Sequence, residues 1–121
     1  MTVRNAIQRI MEMQPSQYDD TTMLEWLSQL DGQIWDDVLR HYDGYASAPA
    51  AYTEEDLDKE LLVGHPHEAV YQTWLSAMID YHNGEWERYN NTMMMHNAQL
   101  QAFYNSVARK GVRADGAYIE I

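Results

Sequence analysis

Asn83-Gly84 interrupts two apolar patterns of helical period with almost no chain between them, and this constrains the fold more than any other feature. Upstream, Val70, Tyr71, Trp74, Leu75, Met78, Ile79 and Tyr81 form a wide apolar face. Downstream, Trp86, Tyr89, Met93, Asn97, Leu100, Tyr104 and Val107 recur at steps of three and four. A glycine after asparagine supplies the left-handed residue that stops a helix. So short a connection forces the two helices to pack antiparallel. Residues equally distant from the turn then face each other: Tyr81 with Trp86, Met78 with Tyr89, and Trp74 with Met93. The second helix is the longer, roughly 25 residues against roughly 16, an overhang of about 13 Å at about 1.5 Å per residue. Its far end, with Leu100, Phe103, Tyr104 and Val107, needs cover from the helix predicted over residues 22–42 or from a neighbouring subunit. These four residues are therefore candidates for a subunit interface.

The rest of the chain also reads as helices and loops. Val3, Ala6, Ile7, Ile10 and Met11 predict a helix over 3–13, ended by Pro15. Thr22 and Glu25 fit a capping box, and the stripe Leu24, Leu27, Leu30, Ile34, Val38, Tyr42 predicts a helix to about Tyr42, continuous or mildly kinked at Gly32. Residues 43–52, rich in Gly, Ala, Ser and Pro, predict a long loop, and Thr53 to Asp56 is a second capping box opening a short helix. Leu61-Leu62-Val63 is expected to plug the edge of the core, and Pro66 to sit in the first turn of the next helix. Beyond Lys110 the alternation Ala117-Tyr118-Ile119-Glu120-Ile121 suits a short extended tail, flexible or added to a partner's sheet edge; Tyr118 and Ile119 join the candidate interface. The expectation is a single all-α domain over 1–121, a small bundle centred on the hairpin.

Composition narrows function by exclusion. Nineteen acidic and eight basic side chains give a formal net charge of −11, and no basic stripe exists with which to neutralise phosphates. A conventional nucleic-acid reader is therefore not expected, although DNA could slide past such a surface without sticking. With no cysteine, disulfides, thiolate catalysis and Cys-based zinc sites are excluded. No apolar run approaches the roughly 20 residues needed to span a bilayer, and no signal-peptide core is visible, so a soluble intracellular protein without a membrane partner is expected. Eight Met, nine Tyr and four Trp against one Phe suit either an amphipathic core or surfaces buried on assembly.

Candidate chemistry is sparse. His65-Pro66-His67 and the pair Asp37 and His41 lack the three or four convergent ligands that zinc requires. Glu54, Glu55, Asp56, Asp58 and Glu60 lack the order of an EF-hand loop and read as a solvated face. Glu55 and Asp58 match only half of the paired carboxylate motifs by which all-helical nucleotide pyrophosphohydrolases hold magnesium. No nucleophile elbow or phosphate loop is present. Two methionines of Met93-Met94-Met95 are expected to face the core, and Asn90, Asn91 and Asn97 are read as exposed. The sequence thus predicts no catalytic residues, no cofactor and no metal, and a structural role in place of an enzymatic one.

Several segments taken in order resemble a known family. They are Gln14-Pro15-Ser16-Gln17-Tyr18, then residues 26–34, then Glu60-Leu61-Leu62-Val63 with Tyr71 and Trp74, then residues 79–91 with Asn97. The chain resembles, over about residues 3–108, the small head–tail connector (head completion) proteins of tailed phages and prophages. The resemblance implies an all-α adaptor, made in the bacterial cytoplasm and incorporated in the virion. There it forms a ring below the portal protein after packaging, extends the DNA channel and receives tail or stopper proteins. It transfers no catalytic residue, and residues 111–121 depart from the family's pattern. It also suggests a use for the acidic charge, a channel wall that repels phosphate, for which Asp36, Asp37, Glu54, Glu55, Asp56 and Asp58 are the candidates. The alternatives are a helical interaction or tail-assembly factor and, behind it, a small metal-dependent nucleotide hydrolase.

Overall fold

The computed structural model describes residues 1–42, 44 and 49–111. Four helices carry the described fold: α1 (Val3–Met13), α2 (Asp20–Asp37), α3 (Ala69–His82) and α4 (Trp86–Lys110). Single 3-10 turns at Leu39–His41 and Glu54–Asp56 punctuate the long connection between α2 and α3. Among the described residues there is no β-strand, and Thr2 and Glu60 form an isolated antiparallel bridge.

The hairpin forms as its turn demands. Asn83 caps α3, and Gly84 takes φ +76°, a conformation that costs a residue with a side chain about 1–2 kcal/mol. The ring of Tyr81 meets Trp86 at 5.3 Å and Tyr89 at 5.2 Å. Farther from the turn the register advances: Trp74 lies against His96 at 5.4 Å, three residues beyond the expected Met93. The buried stripe of α4 is accordingly His96, Leu100, Phe103, Ser106 and Val107, and Asn97 is exposed. His96 is tolerated inside because its Nδ1 lies 3.1 Å from the Val70 carbonyl and 3.0 Å from Thr73 Oγ1. A ring nitrogen facing a carbonyl must carry the proton, and burial holds this imidazole neutral by lowering its pKa.

The first helix begins and ends where its pattern predicts, with Thr2 Oγ1 accepting from the Asn5 amide. Two of its otherwise unpaired N–H groups, those of Val3 and Arg4, donate to the carbonyls of Lys59 and Leu57. The start of α2 differs from expectation. Its cap is Asp19, not Thr22, and the Asp19 carboxylate accepts from the Thr22 amide at 2.9 Å. That hydrogen bond holds the Asp19 pKa below the usual carboxylate value. The helix runs unbroken through Gly32 but ends at Asp37, five residues short of Tyr42. Leu39 explains the break. On a continued helix it would point well away from the Ile34 stripe, whereas the 3-10 turn buries both Leu39 and Tyr42.

The core is one cluster gathered between α1, α2 and the hairpin, with Leu61 and Val63 plugging its edge as expected. Thr53 and Asp56 form the anticipated capping box, although it opens a 3-10 turn and not an α-helix. The third helix begins at Ala69, three residues after Pro66, so Pro66 lies outside it.

The overhang of α4 is covered by the chain itself. Leu100, Phe103 and Val107 are each less than a tenth exposed, and Tyr104 is half-buried. Phe103 meets the His67 ring at 5.7 Å, and Tyr42 packs so tightly against Gly111 that a β-carbon there would overlap its ring. The connection between α2 and α3 thus wraps the far end of α4. Leu100, Phe103 and Val107 belong to the core and are not a surface for a neighbour, which corrects the interface assignment. Tyr118 and Ile119 lie outside the described residues.

Candidate functional site

Two polar knots and one uncharged helix face stand out once the fold is in place. The first knot centres on Asp31, wholly buried on α2. Its Oδ1 accepts from the Tyr71 hydroxyl at 2.6 Å, and its Oδ2 accepts from the Tyr52 hydroxyl and from the Leu62 amide at 3.1 Å. The Tyr71 oxygen in turn accepts from the Val63 amide at 2.8 Å. One carboxylate therefore ties α2, the connection and α3 together. Burial pushes its pKa up, against the three hydrogen bonds, which act the other way. Burial and the adjoining Asp31 charge push both phenols far above their ordinary value, so they stay protonated donors.

Asp31 binds its proton more tightly folded than unfolded, so its contribution to stability is full below the ordinary carboxylate value and is lost as pH rises through the folded value. Asp31→Asn cannot titrate. The stability advantage of the wild type over this variant is expected to be widest in acid and to narrow as pH rises above about 4. Urea midpoints measured as pH rises check it, and a gap that widens with rising pH would contradict it.

The second knot locks the hairpin turn. Gln17 Nε2 and the Tyr18 hydroxyl both donate to Asn83 Oδ1, at 2.9 and 2.8 Å. Gln14 Nε2 donates to the buried Asp80 at 3.0 Å, while Ser76 donates to Gln14 Oε1 at 2.6 Å. Trp26 stacks on His82 with ring centroids 5.2 Å apart and planes 9° from parallel, and Tyr18 meets Trp26 edge-on.

The six candidate channel carboxylates do not form one patch. Glu54, Glu55, Asp56 and Asp58 cluster beside the start of α2, where Thr21 reaches Glu54 at 3.5 Å. Asp36 and Asp37 sit at the other end of the same helix, about 20 Å or more away. Asp56 is spent on capping Thr53, and Asp58 pairs with Arg4 at 3.1 Å. Glu54, Glu55, Asp36 and Asp37 are exposed. Among the described residues no three His, Asp or Glu side chains are placed to share a metal, and no helix is long and apolar enough to cross a membrane.

The outer face of α4 overturns another expectation. Met94 and Met95 are 73% and 58% exposed, and Met93 is half-buried, so the trio does not turn two side chains into the core. The reason is the buried position of His96, which sets Met94 and Met95 off the inward stripe. From residue 89 to residue 108 the helix carries no Asp, Glu, Lys or Arg. Asn90 and Asn91 are exposed on it, as expected, and so is Asn97, which the apolar spacing places on the buried face.

Sequence reasoning missed Asp31, Asp80 and His96. Only Asp31 left a trace, four residues after Leu27 and so on the edge of the buried stripe of α2. Comparison with protein families, with curated proteins and with solved structures finds no match.

Proposed function

We propose that the chain is a structural subunit of a phage or prophage head–tail connector, a ring that docks below the portal, extends the DNA channel and receives the tail or a stopper. One observation carries this reading. The separated segments through which the sequence resembles that family are the ones that touch. Gln14, Gln17 and Tyr18 hold Asp80 and Asn83, and Trp26 stacks on His82. Leu62 and Tyr71 both reach Asp31. A resemblance whose pieces assemble into two shared knots is harder to obtain by chance than scattered matches along a generic helical bundle.

The acidic surface fits a wall past which DNA moves without adhering, since a phosphate backbone is repelled where no cation neutralises it. The exposed Asp36, Asp37, Glu54 and Glu55 are its candidates, contributed at two levels of each subunit. The partners under this reading are further copies of the chain, the portal and the tail or stopper proteins, and the site of action is the virion. A helical tail-assembly factor is the second reading. Retention on an immobilised cognate portal, with no retention on the isolated tail proteins, is the expected result. Binding to tail components alone would favour the second reading. Nucleotide turnover with magnesium would revive the hydrolase.

A further inference from the structure

The outward side of α4 carries an unused helix-packing seam. Asn91, Met95, Ala98, Ala102 and Asn105 follow one another at steps of four, three, four and three, and all five are exposed. That is the 3.5-residue spacing of a coiled-coil seam, which a soluble helix uses to receive another helix. The two alanines permit close approach, and methionine is the apolar residue best suited to an adaptable contact. In a chain of net charge −11, most of the surface repels another copy, whereas this stretch carries no formal charge.

We infer that this seam pairs antiparallel with the same seam of a second copy, about a two-fold axis near Ala98. The sequence is complementary to itself in that arrangement. Asn91 faces Asn105, Met95 faces the small Ala102, and Ala98 faces Ala98. The ends agree as well. Glu85 and Glu87 flank one end of the uncharged stretch, and Arg109 and Lys110 flank the other, so antiparallel pairing lays the acidic end of each copy on the basic end of its mate. Arg88, the cation at the acidic end, is turned back toward Asp80 of its own chain at 3.8 Å. Antiparallel helix dipoles favour the same orientation. Parallel pairing would set acid on acid and base on base. The contact is independent of the connector reading, because a two-fold pair needs no ring.

The absence of cysteine makes the test clean. Under mild oxidation Ala98→Cys is expected to form a disulfide-linked dimer, because the axis brings the two thiols within bridging distance. Asp36→Cys, also exposed but on the acidic surface, is expected to remain monomeric. Sedimentation velocity is expected to show concentration-dependent association of the wild type, weakened about tenfold by Arg109→Glu and restored when Glu87→Arg is added to it. Circular dichroism establishes that each variant keeps its helix content. Equal cross-linking at both cysteines, no self-association at any concentration, cross-linking to the portal but not to a second copy, or no rescue by the charge swap would each overturn the pairing. Portal-bound rings without cross-linking at Ala98→Cys would refute the pairing alone. A cross-linked dimer that never engages a portal would refute the connector alone.

Discussion

Phe103→Ala is expected to destabilise the isolated protein by about 3–5 kcal/mol, the usual cost of emptying a large core site. The only phenylalanine in the chain is 6% exposed, within the core cluster near Leu100 and Val107 and edge-on to the His67 ring. A folded domain holds only about 5–15 kcal/mol in total, so this one truncation removes a large share. Denaturation in urea at low protein concentration is the measurement, because dilution separates the two ways of covering the overhang. If a neighbouring subunit supplied the cover, the dilute chain would lose less than about 0.5 kcal/mol, as for a surface position. A loss that appears at every concentration places the cover in the chain itself.

Asp31→Ala is the second large effect. It leaves the Tyr52 and Tyr71 hydroxyls and the Leu62 amide without their acceptor. A buried donor left unpaired costs about 1–3 kcal/mol. Against this stands the relief of no longer enclosing a carboxylate whose pKa burial has raised, so the net expectation is a loss of about 3 kcal/mol at neutral pH. Asp31→Asn, which keeps one acceptor oxygen, is expected to fall between alanine and the wild type. The order of the three urea midpoints is the check. An alanine variant as stable as the wild type would mean that the knot reorganises freely and does not tie α2 to α3.

These two residues also mark what could be read from the sequence. Periodicity identified the four helices and their antiparallel hairpin, because residues three and four apart report directly on a helix face. The same signal says that Phe103 and Val107 are buried but not by what, and the covering elements, Tyr42 and residues 61–67, sit far away along the chain. The role of Asp31 was hidden for a related reason, although its position at the edge of the α2 stripe was legible. A carboxylate in a helix reads as solvent-facing until its partners are known, and its two phenols lie 21 and 40 residues away. The exchange of His96 for Asn97 on the buried stripe turned on the Val70 carbonyl and Thr73, again supplied by another element. The candidate site divided in the same way. The acidic residues are exposed as expected, yet the length of α2 separates them into two groups, and the uncharged face of α4 became meaningful only when its inward side was known.

The hairpin is pinned at its turn by Gln17 and Tyr18 and at its far end by the wrapped connection. In the proposed connector, its outer face and the exposed acidic residues near the two ends of α2 are the surfaces left for assembly. Electron microscopy of the purified chain mixed with its cognate portal tests this most directly. The account expects closed rings of this chain seated coaxially below the portal, with the DNA channel continuing through them. Portals that remain bare at every ratio and salt concentration would contradict it.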